Sequence, residues 1–83
     1  MHIDYLIQMA NDIAAFFVSE GDEAVAADNI HQHMKKYWDQ RMKVQIVEHF
    51  NETGGADLSG AVRIAVKQLA QEVAKKQAQE KQS

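Results

Sequence analysis

Residues 33–42, His33-Met34-Lys35-Lys36-Tyr37-Trp38-Asp39-Gln40-Arg41-Met42, read as a joint between two helices. Lysines suit the negative end of the helix before it, and Asp39 suits the start of the next. The stretch holds the only Trp, one of two Tyr and three of the nine Lys/Arg residues. Trp, Tyr, Arg and Met at one corner are the types that anchor protein–protein interfaces, because they bury much area for little lost freedom. The competing reading is that Trp38 fills the core of a small domain, since Trp is highly buried on average.

Working upstream, Asp22 can cap the helix that ends at this joint, and Gly21 can break the chain before it. This second helix is expected to run to about Trp38, with Ala26, Ala27, Ile30, Met34, Tyr37 and Trp38 on its inner side. The first helix is expected from an Asp4 cap to about Ser19. Ile3, Leu6, Ile7, Ala10, Ile13, Ala14 and Phe17 form one apolar stripe, and Tyr5, Met9 and Phe16 widen it on one side. The whole covers about 200° of the helical wheel, against the roughly 100° that a surface helix needs. Such a surplus implies either a central position in the fold or a second face covered by another chain, and the second is favoured in so small a domain.

Downstream of Asp39, Met42, Ile46 and Phe50 recur every four residues beside Val47, which predicts a third helix over about 40–50. Residues 51–57 have the composition of a loop. Ser59 then caps a fourth helix with the stripe Val62, Val66, Leu69 and Val73. Beyond Ala74 no apolar face continues, so residues 1–74 read as one helical domain and 75–83 as a polar tail, frayed or disordered. With no Pro and abundant Ala, Gln, Glu and Lys, the chain is expected to be all-α, a small bundle of about four helices.

The chemistry is sparse. The chain has no Cys, which removes thiolate nucleophiles and Cys-based zinc or iron–sulfur sites. His31 and His33 lie two apart, where helical side chains diverge, whereas a helical metal pair needs a spacing of three or four. His2 and His49 have no suitable ligand at such a spacing, and each His is expected at the surface or in a cap. Ser19, Ser59 and Thr53 sit at helix ends or in a loop, and Gly54-Gly55 lacks the Gly-Lys-Ser/Thr ending that grips phosphates. No catalytic, cofactor-binding or metal-binding residue is therefore assigned.

Charge is uneven. Residues 1–34 carry six acids and no Lys or Arg, whereas Lys35, Lys36, Arg41 and Lys43 stand against Asp39 in the next nine residues. That polarity can steer a partner. The basic cluster is too small, on a chain of net charge −3, for nucleic-acid binding. The longest apolar run, Ile13 to Val18, is too short to span a membrane. With no secretory signal pattern either, a soluble cytoplasmic protein is expected.

Three blocks carry a family likeness: Met9-Ala10-Asn11-Asp12-Ile13-Ala14-Ala15-Phe16-Phe17, the 33–42 joint, and Gly54-Gly55-Ala56-Asp57-Leu58-Ser59 followed by Val62 and Ala65. In order and spacing they resemble the delta subunit of cytoplasmic NAD-dependent formate dehydrogenase, over residues 3 to about 70. Family members usually carry Pro at the positions of Gln40 and Gly60, both in the first turn of a helix. The resemblance implies a non-catalytic accessory subunit of a complex that oxidises formate to carbon dioxide and passes electrons to NAD⁺. It further implies that the molybdenum- or tungsten-bound pterin, the iron–sulfur clusters and the FMN reside in larger chains. The partner is then the large catalytic subunit, which this chain would stabilise or help to load with cofactor. Phe16, Tyr37, Trp38, Arg41 and Met42, with Arg63, are the residues expected to bind it. Two alternatives are a transient maturation chaperone for the catalytic subunit and a free homodimer pairing the spare face of the first helix.

Overall fold

Local capping chemistry divides the chain into four helices in the computed structural model, which describes residues 2–18 and 21–82, with side chains through Lys75. They are α1 (Ile3–Val18), α2 (Glu23–Tyr37), α3 (Gln40–Thr53) and α4 (Gly60–Gln82), with no strand among the described residues. The all-α bundle expected from composition is the fold. Asp22 Oδ1 accepts from the Ala24 N–H at 2.8 Å, and Asp39 Oδ1 accepts from that of Met42 at 3.0 Å. Ser59 Oγ accepts from Val62 N at 3.4 Å. All three caps satisfy N–H groups that no helix turn can reach.

The first and third helices depart from their expected bounds. His2, not Asp4, starts α1: its Nδ1 accepts from Asp4 N at 3.2 Å, and its carbonyl accepts from Tyr5 N at 3.1 Å. Asp4 then sits in the first turn, where a carboxylate suits the positive helix end. The expected end of this helix, Ser19, lies outside the described residues. Helix α3 runs three residues past Phe50, because polar Asn51, Glu52 and Thr53 do not break a helix. Gly54 does, with φ +77° and its N–H donating to the Phe50 carbonyl at 2.8 Å. The backbone of α4 continues through Gln82, taking in most of the polar tail expected to be a frayed helix or disordered. Side chains from residue 76 onward, and Ser83, lie outside the described residues, as do the contacts of that polar tail.

Helix α4 packs against all three others, most extensively against α2. Its stripe of Val62, Val66, Leu69 and Val73 is buried as its spacing predicts. Small residues make close approach of the helices feasible: Ala10 and Ala14 of α1, Ala26 and Ala27 of α2, and Ala61 and Ala65 of α4 are all buried. Leu6, Ile30, Met34 and Ile46 fill the remaining space. A core built this way uses little aromatic volume. Of the six aromatic residues only Trp38 is fully inside, while Phe17 and Phe50 pack at its edge.

Two histidines tie elements together rather than facing solvent. His31 is buried between α2 and α4, its Nε2 2.9 Å from Glu72 Oε1, a close polar contact poorly aligned for a hydrogen bond. His49 of α3 holds Asp57, at 3.0 Å from each carboxylate oxygen. The same turn is held from α1, where Asn11 Nδ2 donates to the Asp57 carbonyl at 3.0 Å and Asn11 Oδ1 accepts from Ser59 N at 3.0 Å. Residues 54–59 are thus a pinned connection, which sets where α4 begins.

Candidate partner-docking face

Tyr37 and Trp38 are neighbours in sequence and opposites in space. Trp38 ends α2, its N–H donating to the Met34 carbonyl at 3.0 Å, and its indole is 4% exposed within the core. Tyr37, expected on the inner side, is 66% exposed instead. The chain leaves the helix at Trp38, whose extended backbone turns the indole inward while the last helical side chain stays outside.

The exposed aromatics gather between α1 and α2. Asp12, Ile13, Phe16 and Phe17 of α1 and His33 of α2 line an open hollow of about 380 Å³. Phe16 is 67% exposed and meets Phe17 edge-on, with ring centres 5.4 Å apart at 82°. This is a favourable geometry for aromatic pairs. His33 extends the face toward the end of α2, since its ring centre lies 4.8 Å from that of Tyr37. Lys36 Nζ stands 5.4 Å from the centre of the Tyr37 ring, within cation–π range. Tyr5, also 66% exposed, lies on the same flank of α1 as Phe16, eleven residues earlier. Burying a fully exposed side chain of this kind is worth about 1.5–3 kcal/mol, and Tyr5, Phe16 and Tyr37 are each about two-thirds exposed.

The six residues expected to bind a partner do not form one cluster. Phe16 and Tyr37 share this face. Arg41 is exposed and Met42 half-buried in the first turn of α3, where Met42 packs against the core. Trp38 belongs to the core of this chain. Arg63 lines a separate hollow with Phe50, Ile64 and Lys67, where α3 meets α4. Ile13, Phe17 and His33 were not among the six. Ile13 and Phe17 lie on the main apolar stripe of α1, and nothing in the spacing of His33 reveals that α1 packs beside it.

The basic joint has a structural part as well. Lys43 Nζ donates to the Lys35 carbonyl at 3.2 Å, so α3 covers a backbone acceptor at the end of α2. The His49–Asp57 pair has engaged hydroxyls around it: Thr53 Oγ1 donates to the His49 carbonyl and accepts from Gly55 N, and Ser59 Oγ serves as a cap. Among the described residues no three His, Cys, Asp or Glu side chains are grouped to hold a metal ion. The sequence has no Cys to ligate an iron–sulfur cluster. No described helix is long and apolar enough to cross a membrane.

One family profile matches the chain, that of the NADH-dependent formate dehydrogenase delta subunit FdsD, over residues 5–66. No curated protein and no solved structure matches it. The matched span takes in α1, the joint at Trp38–Asp39, the pinned turn and the first part of α4.

Proposed function

Because the chain belongs to the FdsD family of NADH-dependent formate dehydrogenase delta subunits, we propose that it is a non-catalytic accessory subunit docked on the catalytic subunit of such a complex. On this reading it stabilises that large chain or helps it take up cofactor, in the cytoplasm. The pterin-bound molybdenum or tungsten, the iron–sulfur clusters and the FMN then belong to the larger chains. The observation that carries the reading is the face on which Phe16 and Tyr37 stand about two-thirds exposed beside half-buried Ile13, Phe17 and His33.

Co-purification with a tagged catalytic subunit tests it. The wild-type chain should stay in stoichiometric amount. Phe16→Glu combined with Tyr37→Glu should release it, while the free variant keeps its helical circular dichroism. A wild-type chain lost from the active complex would instead mark a transient chaperone, and a retained double variant would place the docking surface elsewhere.

A further inference from the structure

We infer that the hollow between α1 and α2 receives an apolar helix of a different chain, which presents a Lys or Arg to Asp12. The inference rests on the subunit reading above and specifies the chemistry of the partner. Tyr5, Met9, Ile13 and Phe16 run along one flank of α1 at intervals of three or four residues, over about 16 Å of helix. An apolar stripe of that length beside a hollow suits a helix laid in a groove, with anchors one turn apart. The walls of the hollow are apolar apart from Asp12 and His33.

Charge selects the occupant. Helix α1 carries Asp4 and Asp12 and no Lys or Arg. Asp12 is exposed on the rim, so a helix seated there without a cation leaves its carboxylate facing apolar surface. A second copy of this chain is the wrong occupant for that reason. In a twofold pairing of the stripe, the residues near its midpoint meet their own copies. Asp12 lies within one turn of that midpoint, so each copy brings its carboxylate to the other α1, which offers no Lys or Arg. The Lys36 cation of this face stands instead at the Tyr37 ring on α2. The last residues of this chain are also unsuitable, since 75–83 hold no apolar side chain larger than Ala78.

The test titrates labelled full-length chain into purified catalytic subunit, with Phe16→Glu, Asp12→Asn and Asp12→Lys compared with wild type. Both positions are exposed, so each variant should keep its helical circular dichroism. Phe16→Glu should abolish binding, and Asp12→Lys should raise Kd by roughly tenfold or more. Asp12→Asn should fall between, with a shallower dependence on salt. If Phe16→Glu abolishes binding while Asp12→Lys leaves Kd unchanged, the face docks a partner but not a basic one, and the inference fails alone. If wild type does not bind, or Phe16→Glu binds as wild type does, the docking reading fails with it. Sedimentation of the isolated chain supplies the last arm: a monomer is expected, and a dimer dissolved by Phe16→Glu would overturn the inference in favour of a second copy.

Discussion

His49 Nε2 stands 3.0 Å from both carboxylate oxygens of Asp57, so a side chain of α3 grips the turn that feeds α4. Asn11 grips the same turn from α1 through two backbone hydrogen bonds. Three helices are registered through one short connection. That arrangement keeps α1 in place although Tyr5 and Phe16 on its outer flank are each about two-thirds exposed.

Loss of the α1 grip should be the costlier one. Asn11→Ala removes two hydrogen bonds and should destabilise the chain by about 1–2 kcal/mol. His49→Ala should cost about 1 kcal/mol or less, because the Asp57 side chain is about half exposed. Both residues hold one turn, so the double variant should fall short of the summed losses by about 0.5 kcal/mol or more. Urea unfolding followed by circular dichroism measures all three.

The adjacent pair at the end of α2 should respond in opposite ways. Trp38→Ala empties a core site and should cost about 3–5 kcal/mol. A domain of this size has about 4–12 kcal/mol in total, so this variant should be partly unfolded at 37 °C. Tyr37→Ala should change stability by no more than about 0.5 kcal/mol, as an exposed substitution does. Thermal melts of the isolated variants separate the core residue from its exposed neighbour.

Gly54 and Gly55 have the same backbone hand and different surroundings. Gly54, at φ +77°, has open space where a Cβ would stand, so Gly54→Ala should cost only the left-handed backbone penalty of about 1–2 kcal/mol. At Gly55, φ +74°, a Cβ would stand 2.8 Å from Phe50 Cδ2 and 3.2 Å from Arg63 Cγ. Gly55→Ala should therefore cost about 1–3 kcal/mol more than Gly54→Ala. The comparison is again read from denaturant midpoints.

Gln40→Pro should stabilise the chain by about 0.4–1 kcal/mol, seen as a raised midpoint with unchanged slope. Gln40 is the first residue of α3, where the N–H is dispensable. Asp39 before it is already extended, at φ −77° and ψ 173°, as a residue preceding Pro must be. Gly60→Pro should gain less. A Cβ there would stand 2.5 Å from Glu23 Oε1, and that carboxylate must swing away.

The four helices were legible from residues that act over one turn. Asp22, Asp39 and Ser59 cap the helices predicted to follow them. The Val62–Val73 stripe needs only the helical period to define its buried side. Such interactions involve neighbours in the chain, so their partners can be read directly from spacing. The start of α1 and the end of α3 were misplaced for the same kind of reason: His2 is an unusual cap, and a polar run resembles a loop until a glycine is what ends the helix.

The exposed aromatic face could not be read that way. Periodicity shows that α1 has more apolar surface than one contact needs, but not which flank the neighbouring helices cover. That depends on how α1 is rotated against α2 and α4, which the buried alanines and the Asn11 contact to residues 57–59 determine. Equally, no local rule turns Trp38 inward and leaves Tyr37 outside, or pairs His31 with Glu72 and His49 with Asp57. Those outcomes arise between residues distant along the chain, or where a helix ends and its period no longer governs direction. Helix formation is a near-neighbour property, whereas the choice of which aromatic rings remain outside exists only once the helices have packed.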